Sequence, residues 1–327
     1  MGSTSAAITT GRGPRPPGRL AGMRRSTIFY PLVGLVVVCI VMAFSSDTFL
    51  SAGNVTNILR QVSINAIIAI GMTLVILTGG IDLSVGAVMA LSGTLMAGLM
   101  AGHLPGALAI LACLGVGLGF GLANGAFVAY GKMPPIIVTL ATMGIARGLA
   151  LIYTGGYPIS GLPPWMRFFG AGSIAGVQTP IVVMAVLYAL AWVLLERTPF
   201  GRHVYAIGGN ETATRLSGVR VSPAKLAVYG LSGLASALAA VVLTSRLMSG
   251  QPGAGEGFEL DAIAAVVLGG TAIAGGRGSL VGTLLGALLL GVLNNGLNMV
   301  GVNPYVQTVV KGGIILLAIY IGRERRT

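Results

Sequence analysis

Ile181-Val182-Val183-Met184-Ala185-Val186-Leu187-Tyr188-Ala189-Leu190-Ala191-Trp192-Val193-Leu194-Leu195 runs without a charge and stops at Glu196-Arg197. The reading of this stretch decides the fold. A strand of a membrane barrel alternates apolar and polar residues, and this run does not alternate. Backbone groups within hydrocarbon must be paired inside their own segment, so a continuous apolar run reads as a helix. Thr27–Phe44 reads the same way.

The rest of the chain agrees. Of its 327 residues, 54% are hydrophobic and 9% are charged. Soluble domains carry about a quarter charged residues, so this chain cannot make a fully wetted surface. A bilayer helix needs about 20 mostly apolar residues. Candidate spans fall near 28–45, 58–78, 83–101, 106–130, 134–154, 180–195, 224–244, 258–274, 279–301 and 305–321. The expected fold is all-α, a polytopic membrane protein of about ten transmembrane helices. The breaks at 79–82 and 275–278 are short enough to lie within the bilayer. Residues 1–26 are rich in Gly, Pro, Ser and Arg and read as a disordered basic cytoplasmic tail before an uncleaved first helix. Residues 27–327 read as one transmembrane domain.

Basic residues set the orientation. With the N-terminus in the cytoplasm, 15 of the 20 Lys and Arg fall inside. Arg167 and Arg246 are clearly outside, and Arg147 and Lys311 fall within spans. That is the positive-inside pattern, with both termini cytoplasmic. The formal charge of +12 is therefore span-end charge facing lipid headgroups, and no nucleic-acid partner is expected.

Glycine numbers 52. Gly115, Gly117, Gly119, Gly121 and Gly125 crowd one span, and Gly282 and Gly286 another. Small residues let membrane helices approach closely, so packing is their expected use. Two echoes also appear. Gly79-Gly80 with Val85-Gly86 returns as Gly275-Gly276 with Val281-Gly282. Gly121, Asn124, Gly131 and Pro134 return as Gly291, Asn294, Gly301 and Pro304. Gly-interrupted apolar segments in two halves point to a transporter's central path.

Enzyme signatures are missing. There is no Walker A pattern, no H-E-x-x-H and no G-x-S-x-G. His103 and His203 fall in loops expected on opposite sides. No catalytic residue, metal site or cofactor is expected, and Cys39 and Cys113 read as isolated span residues. Asp82 is the informative acid. It can cap the next helix, line a polar path, or do both. Gln61, Asn65, Asn124, Asn294, Asn295 and Asn298 form a set of span amides. Such groups bond hydroxyls without carrying charge, which suits a neutral polyol, although interhelical bonding is also open to each one. Outside, residues 155–179 make the largest loop, where Trp165 either anchors at the headgroups or forms part of a docking surface.

The inside loop 196–223 holds Arg197, Arg202, Arg215 and Arg220, and shows ordered features too. Asn210 is placed to cap a short helix over Glu211–Leu216, and Gly218 to end it. A short helix on the cytoplasmic face suits partner docking.

Three stretches together resemble the ribose-type permeases of ATP-binding-cassette (ABC) importers. They are Gly71-Met72-Thr73-Leu74-Val75-Ile76-Leu77-Thr78-Gly79-Gly80-Ile81-Asp82-Leu83-Ser84-Val85-Gly86, the Thr198–Gly218 segment, and Leu268-Gly269-Gly270-Thr271 with Gly275-Gly276-Arg277-Gly278-Ser279. The resemblance covers nearly everything after residue 26. It implies an ABC importer permease bundle in the bacterial inner membrane, paired as a dimer with a second permease subunit. It also implies a cytoplasmic tandem ATPase and an extracytoplasmic sugar-binding protein as partners. Under it, Gly201, Arg202, Gly208, Gly209, Asn210, Ala213, Arg215, Leu216 and Gly218 belong to the ATPase-coupling segment. Asp82 belongs to a signature stretch without an assigned contact.

Overall fold

A computed structural model describes residues 29–323, so the tail expected over 1–26 lies outside the described residues. The helices in chain order are α1 (Phe29–Ser45), α2 (Ala52–Leu77), α3 (Val85–Ala101), α4 (Gly106–Ala129) and α5 (Pro135–Thr154). After a 3-10 turn at Pro164–Met166 come α6 (Arg167–Ala171) and a small antiparallel hairpin, β1 (Ser173–Ile174) with β2 (Val177–Gln178). The chain continues through α7 (Thr179–Arg197), α8 (Pro199–Gly209), α9 (Glu211–Leu216) and α10 (Val221–Leu247). It ends with α11 (Phe258–Leu268), α12 (Leu280–Met299) and α13 (Pro304–Arg323).

The ends of these helices follow local chemistry. Ser51 accepts a hydrogen bond from the Asn54 amide and caps α2, meeting one of the donors every helix start leaves open. Proline falls in the first turn of α5, α7 and α8, where its missing N–H costs nothing. Gly155, at φ +63°, closes α5 in the left-handed conformation that glycine adopts without strain.

Among the described residues, α2, α4, α5, α7, α10 and α12 are long and apolar enough to cross a membrane. Burial sorts them. The apolar windows of α2 and α10 are 78% and 67% buried, whereas those of α4 and α5 are 22% and 28% buried. The first two form the centre. The outer helices expose Leu111, Leu118, Phe127, Ile137 and Leu140, an apolar surface that only lipid or another apolar partner covers cheaply. Gly117, Gly121 and Gly125, one turn apart, let α4 lie against the α10 backbone. A Cβ on Gly121 would sit 2.3 Å from the Tyr229 carbonyl oxygen. Gly115 and Gly119 face open space, so the expected packing role holds for one face of the helix.

One span differs from expectation. The apolar run 258–274 forms only the 11-residue helix α11, about 16 Å long at 1.5 Å per residue. That is half a hydrocarbon core. Gly270, Gly275 and Gly276 carry positive φ and turn the chain out of helix. Before α11, the 250–257 segment runs beside α3: Gly250 packs on Ala97 and Gly255 on Gly86.

The break after α2 turns back as well. Gly79, at φ +79°, reverses the chain, and Asp82 is reached by the Ser232 hydroxyl at 2.8 Å. Ser232 in turn packs on Gly71, six residues before the end of α2 and about 9 Å back along it. The chain therefore re-ascends beside α2 before α3 starts.

Candidate functional site: an amide-lined cavity and a helical loop

At the end of the bundle away from α8 and α9, five helices enclose a cavity of about 320 Å³. Each contributes residues one turn apart: Gln61 and Asn65 from α2, Asn294 and Asn298 from α12, Gln307 and Lys311 from α13, Phe258 and Asp261 from α11, Leu243 and Arg246 from α10. Positions three or four apart share a helix face, so α2, α12 and α13 each turn a polar pair inward, and α10 and α11 each turn one charged and one apolar residue. Lys311 pairs with Asp261 at 3.2 Å, which leaves that wall close to neutral. Gln307 donates to Asn298 Oδ1 at 2.8 Å. The Oδ1 atoms of Asn65 and Asn294 are buried without a hydrogen-bond partner. Buried acceptors left open are costly, and a ligand rich in hydroxyls would satisfy them.

Asp82 belongs to a second polar centre. It is 1% exposed and accepts from the Ser84 amide at 3.0 Å, the Ser84 hydroxyl at 2.6 Å and the Ser232 hydroxyl at 2.8 Å. Asn124 donates to the Ser84 hydroxyl at 2.9 Å. The carboxylate thus holds the turn that leads into α3 and ties the break to α10 directly and to α4 through Ser84. Asn295 makes a reciprocal amide pair with Asn54, at 2.9 and 3.0 Å, and clamps α12 to α2. Of the seven path residues read from sequence, Gln61, Asn65, Asn294 and Asn298 meet in the cavity. Asp82, Asn124 and Asn295 hold helices together. The second echo accordingly joins unlike positions, because Asn124 sits in the Asp82 cluster and Asn294 in the cavity.

The 196–223 loop is two helices. Thr198 caps α8, accepting from the Gly201 amide. Asn210 caps α9, accepting from the Ala213 amide at 2.9 Å, and Gly218 turns the chain away at φ +85°. The sequence reading located α9 and its cap; it missed α8, for which Thr198-Pro199 was the available signal. His203 therefore lies on a helix rather than in an open loop. Glu211 ties α9 to α10, bonding Lys225 at 2.5 Å, and also bonds Arg215 one turn along α9 at 2.8 Å. Lys225, then Arg215, hold its carboxyl below the usual glutamate range. Burial and the nearby Glu196 push the Tyr205 hydroxyl up to about 12.

Two loop residues face inward. A Cβ on Gly201 would lie 1.9 Å from the Leu195 carbonyl oxygen, and one on Gly208 would lie 1.8 Å from that of Leu77. The Leu77 carbonyl also accepts from the Gly276 amide at 2.9 Å. Both Gly-Gly breaks thus meet α8 at one point, backbone against backbone. Arg202, Gly209, Asn210, Ala213, Arg215, Leu216 and Gly218 are exposed, and Leu216 is 84% exposed.

Sequence reasoning missed Arg246, Asp261 and Gln307 as cavity residues. The charge count puts Arg246 beyond the end of a span and says nothing of a cavity there. Asp261 and Gln307 sit near the starts of short or late helices, where no periodicity singled them out. Arg147 donates to the Pro252 and Ala254 carbonyls and holds the 250–257 segment against α5.

Apolar helices around a polar cavity, with an exposed helical loop at the opposite end, define a polytopic membrane transport protein. A solved structure described as an inward-facing conformation of a metal-chelate type ABC transporter superposes with TM-score 0.53 at 14% identity. It covers 90% of this chain and 98% of that one, which shows a common fold. The family model described as "Branched-chain amino acid transport system / permease component" matches residues 54–319. The ribose import permease of Bacillus subtilis is 52% identical over 90% of this chain and 92% of its own length. Its Escherichia coli K12 counterpart is 46% identical over 90% and 93%. The D-allose transport permease of the same strain is 39% identical over 88% and 89%. The chain belongs to this ABC permease family, on the branch of its ribose-type members.

Proposed function

We propose that this chain is the permease subunit of an ATP-binding-cassette importer, passing a monosaccharide across the bacterial inner membrane by alternating access. The observation that carries this reading is the cavity: five amides, two with free acceptor oxygens, one neutralised ion pair and the arginine Arg246, with no carboxylate left free among them. Neutral hydroxyls match that lining. Relatives named as ribose and allose permeases along almost the whole chain support it.

On this reading α1, α3 and α13 join the six long spans, and α11 with its break is a half-crossing. Both termini and the α8–α9 loop face the cytoplasm, and the cavity lies in the outer half. The chain works as a dimer, a second copy supplying the other half of the translocation unit. A tandem ATPase grips the exposed face of α9. An extracytoplasmic sugar-binding protein docks on the outer surface, to which residues 155–179 contribute. Movement of α8 pulls on Leu77 and Gly276 together and opens the cytoplasmic end of the path. ATP drives this because it binds one state better than the other. Hydrolysis itself takes place in the partner chain.

A branched-chain amino acid is the second reading, favoured by the name of the family model. A zwitterion requires a free group of each sign, and here Asp261 is already held by Lys311. An ion-coupled carrier takes its cation or proton at a free intramembrane carboxylate. Asp82, Arg147 and Lys311 all have protein partners.

The test is uptake by vesicles reconstituted with the permease, ATPase and binding protein. ATP-dependent accumulation of labelled D-ribose, D-xylose or D-allose is expected. Accumulation of leucine alone, or of sugar without ATP, refutes the proposal.

A further inference from the structure

Arg246 lies at the outer end of α10 and lines the cavity. Among the described residues it has no carboxylate partner and no side-chain hydrogen bond. The neighbouring wall charge, Lys311, is already paired with Asp261. A guanidinium partly withdrawn from water is costly without acceptors. The cavity also holds the opposite deficit, since the Oδ1 atoms of Asn65 and Asn294 lack donors. One cavity thus holds a set of unused donors and two unused acceptors.

We propose that Arg246 is the substrate-contacting donor of the translocation site, bonding a pair of neighbouring sugar hydroxyls while Asn65 and Asn294 accept from the hydroxyl hydrogens. This rests on the reading of the chain as a sugar permease. A hydroxyl both donates and accepts, so a vicinal pair closes both deficits at once. The planar fork of arginine presents paired N–H groups at a spacing that lysine cannot reproduce. Phe258, on the same cavity wall, offers an apolar face to the C–H side of a sugar ring. Gln61 and Asn298 complete the polar lining.

The experiment compares the wild-type complex with Arg246→Gln and Arg246→Lys in vesicles containing the ATPase. Loaded binding protein is saturating, and D-ribose, D-xylose and D-allose are tested in turn. Loss of a charge-assisted hydrogen bond lowers rates by about tenfold or more. Arg246→Gln is expected to cut uptake of the accepted sugar by about that factor, and Arg246→Lys to recover part of it. Hydrolysis stimulated by loaded binding protein is expected to stay within about twofold of wild type, showing that fold and docking are intact. Arg246→Gln uptake within about twofold of wild type overturns the proposal. So does a loss of uptake matched by an equal loss of stimulated hydrolysis, which would make Arg246 a docking residue. Failure of the wild-type complex to import any sugar is a different outcome and defeats the sugar-permease reading itself.

Discussion

Gly208 has no room for a methyl group, since a Cβ there would meet the Leu77 carbonyl oxygen at 1.8 Å, with the Gly276 amide nitrogen at 2.4 Å. Both neighbours are backbone and cannot swing aside. Gly208→Ala is therefore expected to reduce uptake about tenfold or more, while membrane insertion and basal ATP hydrolysis continue. Vesicle uptake and hydrolysis assays on one preparation check this, and normal uptake would remove Gly208 from the coupling route. Asp82 makes a different prediction. Its carboxylate holds three donors, and bonds to a charged group are worth about 1.5–3 kcal/mol each. Asp82→Ala is expected to lower thermal stability in detergent strongly, whereas Asp82→Asn, which keeps an acceptor, loses less and still imports. ATP-independent uptake abolished by Asp82→Asn would instead reveal an ion-coupled carrier. The sequence showed that Asp82 mattered, through its place after Gly79-Gly80, and offered cap and path alike. Its bond to Ser232, 150 residues away, is one that no local pattern announces.

At the scale of elements, α9 presents Leu216 to solvent while Glu211 and Lys225 fix its base. A large apolar side chain at an exposed helix end suits the centre of an interface. Leu216→Asp is expected to weaken co-purification of the ATPase about tenfold or more and leave the permease folded. The brace also has a pH limit. Glu211 has its carboxyl lowered, chiefly by Lys225, so its contribution is complete above the ordinary glutamate range and is lost as pH falls through the lowered value. Coupling measured down to about pH 5 is expected to be unaffected on this account, and Glu211→Gln to remove the brace at every pH. Most helices were legible as apolar runs, because lipid demands length and continuity. The shortness of α11 was not, since its apolar composition runs on to 274 while Gly270 and Gly275 turn the backbone out of helix. Four of the candidate amides lie at the cavity because i, i+4 spacing on α2 and α12 already paired them. Arg246, Asp261 and Gln307 stayed hidden because each sits on a different helix, and only packing brings them together.

For the whole molecule, the proposed orientation predicts a cytoplasmic signal from a reporter fused after Thr327. An extracytoplasmic signal would invert the arrangement of cavity and coupling loop. The three sequence stretches that carry the family likeness are far apart in the chain, yet Leu77, Gly208 and Gly276 touch. α10 spans the distance from that junction to the opposite end of the bundle. Its first turn is held by Glu211 through Lys225, its middle grips Asp82 through Ser232, and its last turn lies under the outer loop, where Ser245 bonds the Met166 carbonyl and Gly170 abuts the Arg246 backbone. A strut pinned at both ends carries influence in both directions. In the proposed assembly, thermodynamic reciprocity then requires that whatever factor nucleotide binding adds to the grip on the delivery protein, that protein's arrival returns to nucleotide affinity.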